Sequence, residues 1–276
     1  MSENRKFSVL MSVYIKENPA FLKEAVESIL HQKLQPSEVV IVEDGPLTPE
    51  LYQVLEELEA QSSIPIKRCP LEQNRGLGLA LKYGVTQCQY DVIARMDTDD
   101  IAVEDRFEQQ FELMETENLD LLGGHIAEFI DQPDEIVSYR RVPIKHEDII
   151  VYQRMRSAFN HMTVMFKKEM VLKAGNYEDG LYMEDDLLWL NMIAAGARTG
   201  NIDQILCRVR VGAGMFERRG GLRYLKLYRQ ARQRMLERNQ ISYIEYAKSV
   251  GIQAVVALCP GFVRQFIFVK LLRKSK

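Results

Sequence analysis

One stretch of the chain decides the fold: Tyr90-Asp91-Val92-Ile93-Ala94-Arg95-Met96-Asp97-Thr98-Asp99-Asp100. Its apolar and β-branched first half predicts a buried strand, which ends in three carboxylates within four residues. In open α/β sheets, ligands bind beyond the carboxyl ends of the parallel strands. The sequence therefore predicts that Asp97, Asp99 and Asp100 lie at the edge of the sheet where a ligand is expected.

These three carboxylates repel one another at such short spacing, so the cluster suits a divalent cation or cationic neighbours. The alternative is a solvated acidic turn without a ligand. An EF-hand is excluded, because its loop needs an oxygen ligand at position 5 and glycine at position 6. The chain has Ile101 and Ala102 at those positions.

The remainder of the first half alternates between strand and helix patterns. Strands are predicted at 7–13, 38–42, 64–68 and 90–96. Helices are predicted at 19–31 and at 104–117, and two more are predicted between them, one that begins at residue 48 and one that ends at about residue 85. This alternation predicts a mainly parallel sheet with helices on both faces and right-handed crossovers. After residue 119 the pattern loosens, with strands predicted at 119–122, 159–166 and 202–211 and helices at 168–174, from 184, at 222–239 and at 243–258.

A second acidic group, Glu184-Asp185-Asp186, directly precedes an apolar helical segment. Carboxylates are common in the first turn of a helix because they complement its dipole. The functional alternative is a second acidic site, in which one carboxylate at the start of the helix acts as a general base. Further on, the glycine-rich stretch 212–221 carries Arg218 and Arg219, which either close over a diphosphate or form a solvated basic loop.

The charge of the chain is unevenly distributed. The net charge of the 276 residues is −3, yet residues 201–276 contain 16 Lys and Arg against four Asp and Glu, which gives +12 there and −15 elsewhere. A basic C-terminal quarter indicates an anionic surface or ligand at that end. The four cysteines lack CxxC spacing, so neither zinc nor a disulfide framework is indicated.

No targeting or membrane-spanning segment is expected. The first residues lead directly into a predicted strand, and the longest uncharged apolar stretch, Ser249 to Val263, is 15 residues long. A spanning helix needs about 20 apolar residues. We therefore expect an intracellular protein.

Several of these stretches, taken in order, carry a resemblance. They are Ser8-Val9-Leu10-Met11-Ser12-Val13-Tyr14, Val40-Ile41-Val42-Glu43-Asp44-Gly45, Asn74-Arg75-Gly76, Ala94-Arg95-Met96-Asp97-Thr98-Asp99-Asp100 and Met183-Glu184-Asp185. Together they resemble the family 2 glycosyltransferases with a GT-A fold, especially the inverting bacterial enzymes of exopolysaccharide and O-antigen synthesis. The resemblance covers residues 7 to 200, and the absence of a QxxRW segment after Asp185 disfavours a processive polymerase.

The resemblance implies a GT-A catalytic domain at 1–220, with a nucleotide-sugar half at about 1–118 and an acceptor half at about 119–220. A basic helical extension would occupy 221–276, and its last part, 262–276, has the apolar and cationic spacing of a helix at a membrane interface.

The resemblance also implies roles for particular residues. Asp44 would accept a hydrogen bond from uracil N3–H, with Ser12 and Tyr14 beside the base. Asp97 and Asp99 would form the DxD pair that touches the ribose and coordinates Mn²⁺ or Mg²⁺, and Asp100 extends this metal cluster. Asp185 would be the catalytic base. Arg75, Arg218 and Arg219 would belong to the donor-binding residues.

The function implied is transfer of a hexose, galactose or glucose, from a UDP-sugar to a lipid-linked or oligosaccharide acceptor. The enzyme would work in the cytoplasm, peripherally associated with the inner face of the cell membrane, and would not bind nucleic acid. One alternative is a sugar-nucleotide nucleotidyltransferase, although the loop 14–18 lacks the glycines usual in that class. The other is a non-catalytic membrane-surface scaffold, which the basic tail favours and the two acidic clusters disfavour.

Overall fold

The computed structural model describes residues 5–178, 183–212 and 220–259. Their strands are β1 Phe7–Val13, β2 Glu38–Glu43, β3 Ile66–Pro70, β4 Val92–Arg95, β5 Ile101–Ala102, β6 Leu121–Phe129, β7 Ile136–Arg140, β8 Met165–Lys167 and β9 Thr199–Arg210. Their α-helices are α1 Pro19–Leu30, α2 Pro49–Gln61, α3 Leu77–Gln87, α4 Arg106–Thr116, α5 His146–Gln153, α6 Lys168–Lys173, α7 Glu184–Ala194, α8 Gly221–Glu237 and α9 Tyr243–Leu258.

These strands form one sheet in the order β3-β2-β1-β4-β8-β6-β9-β5, with β7 paired to β6. The first four strands in this order are parallel, as the alternating pattern of the first half predicts. Beyond β4 the sheet is mixed, because β8 runs antiparallel to both β4 and β6, whereas β6 and β9 are parallel. The fold is therefore α/β of the GT-A type, with a parallel half up to β4 and a mixed half beyond it.

Helices cover both faces of the sheet. Alternate residues of β1 point to opposite faces, so that Val9 and Met11 pack with α1, α2 and α4, whereas Leu10 packs with α3 and α7. The predicted helix starts are confirmed: the Asn18 side chain accepts from Ala20 N at 2.9 Å, and Thr48 caps α2. The parallel half of the fold thus follows from local sequence patterns.

The predicted strand at 159–166 is wrong for most of its length. Residues His161–Thr163 form a 3₁₀ turn, and only Met165–Lys167 form a strand. The Asn160 amide donates to Gly124 O at 2.7 Å, and the Thr163 hydroxyl donates to Asn160 O at 2.8 Å. Such side-chain bonds to the backbone compete with strand pairing, so the chain turns here instead of extending.

The helices α8 and α9 form a C-terminal hairpin, as predicted for the basic extension. Met235 and Ile241 of the hairpin pack against Leu187 and Leu190 of α7. No helix in the described ranges is long and apolar enough to cross a membrane. Both the loop with Arg218 and Arg219 and the predicted interfacial helix 262–276 lie outside the described residues.

Candidate active site

The carboxyl ends of β2, β1 and β4 meet at one edge of the sheet, because these strands are parallel neighbours. Asp44 follows β2, Ser12 and Tyr14 stand at the end of β1, and the acidic cluster follows β4. The Thr98 hydroxyl approaches Ser12 O at 3.4 Å, which joins the last two of these segments. The structure therefore brings together the residues that the resemblance assigns to the uracil base and those that it assigns to the metal.

Asp44 is held in place by the loop that precedes α3. Its carboxylate accepts the backbone N–H groups of Arg75 at 2.7 Å and Gly76 at 3.0 Å. The Asn74 amide donates to Asp44 O at 3.1 Å. This network fixes the buried Asp44 carboxylate beside the ends of β1 and β2. The contact of Asp44 with a uracil base stays a prediction.

Glu43, which precedes Asp44, has a separate structural role. It is buried and accepts from Arg68 Nε at 2.5 Å. This ion pair joins β2 to the neighbouring edge strand β3.

Asp97, Asp99 and Asp100 each offer a carboxylate oxygen, and these three atoms lie within 4.8 Å of one another. Burial and the neighbouring Asp97 and Glu17 raise the pKa of Asp99 to about 7. Burial and the other two aspartates raise the pKa of Asp100 well above its usual value. Crowded hard oxygen ligands with raised pKa values fit a divalent cation, which offsets their repulsion. These residues thus suit Mn²⁺ or Mg²⁺.

One buried arginine, Arg95, acts electrostatically on both acidic sites. The Arg95 side chain is 1% exposed and contacts the Asp97 carboxylate. Its Nε and Nη1 atoms are buried and have no hydrogen-bond partner among the residues that the structure describes. Its charge counteracts the rise in pKa at Asp99, Asp100 and Asp185. Arg95 has no predicted role, although an arginine inside an apolar strand is a signal, since a buried charge needs a partner.

Glu17 is a second residue that the sequence interpretation misses. It accepts the Thr98 hydroxyl at 2.5 Å and thereby ties the loop after β1 to the middle of the acidic cluster. No local pattern identifies it, because it lies 81 residues before its partner.

The second acidic group begins α7. Asp186 is buried and accepts from the Gln153 amide at 2.8 Å. Burial, followed by the charges of Asp186 and Glu184, raises the pKa of Asp185 to about 8. A Cβ atom added to Gly78 would lie 3.1 Å from Glu184 Cβ, so α3 and α7 approach closely at their first turns. Asp185 therefore has the raised proton affinity that general bases acquire by burial.

Glu184, Asp185 and Asp186 line a cavity of about 940 Å³. Its other walls are the first turn of α3 with Arg75, residues 155–162, and one face of the α8–α9 hairpin. His161 stands on its 3₁₀ turn in this wall, with Nε2 2.9 Å from the Tyr177 hydroxyl. Burial and the charge of Arg95 lower the pKa of His161 well below its usual value, so this histidine is neutral.

Comparisons with known proteins agree with this geometry. The family described as glycosyl transferase family 2 matches residues 8–175. An amylovoran biosynthesis glycosyltransferase, AmsE of Erwinia amylovora, is 38% identical over 96% of this chain and 98% of its own length. The Escherichia coli UDP-Gal:α-D-GlcNAc-diphosphoundecaprenol β-1,3-galactosyltransferase is 37% identical over 98% of this chain and 97% of its own.

A solved structure supports the fold independently. The mannosyltransferase PcManGT of Pyrobaculum calidifontis, in complex with GDP-Man and Mn²⁺, superposes with a TM-score of 0.64. The match covers 94% of this chain and 72% of that one at 14% identity, a level at which only the architecture is shared.

Proposed function

The chain belongs to glycosyl transferase family 2, and from that premise we propose that it is an inverting, metal-dependent hexosyltransferase that uses a UDP-sugar. Family membership makes the protein a glycosyltransferase, so the nucleotidyltransferase and scaffold alternatives are set aside. The observation that carries the finer proposal is the pairing of two acidic sites. A crowded aspartate cluster follows β4, and a carboxylate of raised pKa begins α7, with Arg95 acting on both.

Donor binding is assigned to the edge formed by β2, β1 and β4. Asp44 accepts a hydrogen bond from uracil, and Ser12 and Tyr14 border the base. Arg75 contacts the donor in this proposal, which is supported by its position in the cavity lining and by the anchoring of its loop to Asp44. Arg218 and Arg219, from the glycine-rich stretch, close over the diphosphate in this proposal.

The aspartate cluster holds the cation. Asp97, Asp99 and Asp100 supply hard oxygen ligands. A bound Mn²⁺ or Mg²⁺ neutralises the charge that develops on the departing diphosphate. No protonating acid is then needed for the leaving group, so a single base completes the catalytic set.

Asp185 is the proposed base. It lines the cavity from α7, where it removes the proton from the acceptor hydroxyl as that oxygen attacks the anomeric carbon. The attack comes from the face opposite the leaving diphosphate, so a single displacement inverts the anomeric configuration. The raised pKa of Asp185 makes it a stronger base than an ordinary aspartate.

The acceptor is proposed to be a lipid-linked glycan or an oligosaccharide, and the sugar to be galactose, with glucose as the alternative. The Escherichia coli relative is named for a diphosphoundecaprenol acceptor and UDP-Gal, and the Erwinia relative for amylovoran synthesis. We place the enzyme in bacterial surface polysaccharide synthesis, peripherally attached to the inner face of the cell membrane.

A transfer assay tests the proposal. The full chain is incubated with UDP-Gal, UDP-Glc or UDP-GlcNAc, with Mn²⁺, Mg²⁺ or EDTA, and with α-D-GlcNAc diphosphate carrying an alkyl chain. We expect a metal-dependent β-linked product from an α-linked donor, read from the anomeric proton coupling. An α-linked product rejects inversion, and undiminished transfer in EDTA rejects the role of the metal.

A further inference from the structure

We propose that the part of the cavity formed by the C-terminal hairpin and residues 155–156 is a subsite for the diphosphate of a lipid-linked acceptor and the first apolar units of its chain. The subsite, here called the hairpin wall, is formed by Met155, Arg156, Leu227, Arg232, Ile252 and Gln253. This inference rests on the proposed function and deepens it by assigning residues to the diphosphate and the lipid of the acceptor. In the proposed function the aspartate cluster serves the donor, and Asp185 contacts only the reacting hydroxyl of the acceptor.

Arg232 supplies the buried positive charge of the hairpin wall. Its side chain is 2% exposed, and its guanidinium donates to Ser249 Oγ at 3.0 Å, to Met235 Sδ at 3.4 Å and to Arg154 O. Within the described ranges it forms no ion pair. A buried cation surrounded by neutral acceptors creates a positive potential that favours an anionic ligand.

Gln253 supplies an independent observation. Its amide nitrogen is buried and has no hydrogen-bond partner among the described residues, although buried polar groups are paired in the great majority of cases. Gln253 stands one helical turn after Ser249, the partner of Arg232, so it lies on the same side of α9. An unpaired donor beside a buried guanidinium is satisfied by an oxygen-rich anion.

Arg156 adds a second arginine to the hairpin wall, and the other remaining side chains are apolar. Met155 and Leu227 line the cavity, and Ile252 is 62% exposed. An exposed isoleucine that lines the same cavity as a buried arginine provides contacts for an anion that continues into a hydrocarbon chain. A nucleotide or a free glycan offers no apolar part of that kind, so the chemistry of the wall favours a polyprenyl diphosphate.

The hairpin wall is joined to the base by a short run of chain. Gln153 holds Asp186, the neighbour of Asp185, at 2.8 Å, and the next residue, Arg154, accepts from Arg232 through its carbonyl. Asp185 and Arg232 line the same cavity. In a glycosyl diphosphate lipid, the sugar that presents the reacting hydroxyl lies between the base and the diphosphate, which matches this order.

Farnesyl diphosphate is the direct probe, because it carries both the diphosphate and the apolar chain but no sugar. Its binding is measured with the full chain in EDTA, so that no cation draws the probe to the aspartate cluster. Farnesol and inorganic diphosphate serve as part-ligands. We expect the intact probe to bind at least tenfold more tightly than either part.

Three variants test the assigned residues. Arg156→Gln, Gln253→Leu and Arg232→Gln are each expected to weaken farnesyl diphosphate about tenfold, while the affinity for UDP with Mn²⁺ stays unchanged. Arg154→Gln is the matched control, since its exposed side chain does not line the cavity and its carbonyl remains. If Arg232→Gln does not fold, the other two variants decide the outcome.

The proposal is overturned if farnesyl diphosphate binds no better than farnesol, or if all variants bind it as the unmodified chain does. An equal loss of UDP affinity overturns it as well, because the wall then belongs to the donor. Failure of transfer with every UDP-sugar, together with arginine-dependent probe binding, rejects the proposed function and leaves the subsite standing.

Discussion

The buried guanidinium of Arg95 contacts the carboxylate of Asp97, at the point where β4 leaves the sheet and the acidic cluster begins. Two of its nitrogen atoms have no hydrogen-bond partner in the described part of the chain. This arrangement places a fixed positive charge beside the aspartate cluster, and the same charge counteracts the raised pKa of Asp185. The guanidinium thereby offsets part of the negative charge of both acidic sites.

Removal of this charge tests its role. Arg95→Met is expected to lower the free energy of unfolding by about 3 kcal/mol without added metal, because one partner of a buried ion pair is lost. Mn²⁺ is expected to raise the melting temperature of the variant by more than it does for the unmodified chain, since the metal then replaces the missing charge.

Arg106→Met is the matched control for this variant. Arg106 is also fully buried, but it donates to Gln110 Oε1, to Arg95 O and to two sulfur atoms. Its loss is expected to destabilise the fold without increasing the response to Mn²⁺. A larger metal response in both arginine variants contradicts the specific role of Arg95.

The metal cluster makes a second prediction. Asp99→Asn is expected to preserve the fold and to lose most turnover, because one hard oxygen ligand is replaced by an amide that carries no charge. The increase in melting temperature with UDP and Mn²⁺ is expected to disappear in this variant. Asp91→Asn, at the opposite end of β4, is the control and should behave as the unmodified chain.

The base makes a third prediction. Asp185→Asn is expected to reduce kcat by roughly 10²- to 10⁴-fold, the range for a lost general base, with the Kd of the UDP-sugar unchanged. Asp186→Asn is the isosteric comparison, since an amide oxygen still accepts from Gln153. If Asp186→Asn reduces kcat as strongly, the assignment of the base to Asp185 is wrong.

The titration of Asp185 adds a pH dependence of stability to this third prediction. Its pKa is about 8 in the folded chain against a usual 3.8, so the folded state binds this proton more tightly than the unfolded chain does. Stability from the protonated group is full below the unfolded pKa and is lost as the pH rises toward 8. Asp185→Asn should therefore melt increasingly above the unmodified chain as the pH rises from about 4 to about 8.

Gly45 makes a fourth prediction, about the loop that holds Asp44. Its φ is +85°, and a Cβ atom would lie 2.5 Å from Asn74 N, which is backbone. Gly45→Ala is expected to cost at least about 2 kcal/mol of unfolding free energy, from left-handed strain and the clash together. UDP affinity should fall with it. Gly251→Ala, in open space on α9, is the control and should be neutral or stabilising.

Local patterns predict the parallel half of this fold because each of its elements is specified by neighbours in sequence. The apolar, β-branched residues before Asp97 are sufficient to predict a strand, and Asn18-Pro19 predicts the start of a helix by capping. The turn at 161–163 escapes prediction because Asn160 and Thr163 bond to the backbone of Gly124, which lies far away in sequence. Here tertiary contacts override local preference.

The acidic sites are likewise predictable from sequence, but their surroundings are not. Asp97 and Asp185 each follow a recognisable pattern, whereas Arg95, Glu17 and Arg232 acquire their significance only through packing. The hairpin wall combines residues 155–156 with residues more than 70 positions later. No window along the chain contains both, so only the folded structure brings these donors together.

The basic tail makes the last prediction. Residues 262–276 carry five Lys and Arg and no acidic residue, and they interleave these with Phe, Val, Ile and Leu. Each basic residue near an anionic leaflet contributes about 1 kcal/mol and is screened by salt, so attachment should be peripheral and reversible. The helix that precedes this segment exposes Ile252, Val255 and Leu258, so the described part of the chain already presents an apolar surface at that end.

We expect the full chain to sediment with vesicles that contain anionic lipid at low salt, and to remain in solution with zwitterionic vesicles. Deletion of 262–276 should abolish sedimentation while hydrolysis of the UDP-sugar by water continues. Replacement of Lys270, Arg273, Lys274 and Lys276 by Gln keeps the apolar residues and should also abolish it, because charge provides the attraction. Loss of the cooperative melt on deletion would show instead that the segment packs on the body of the enzyme.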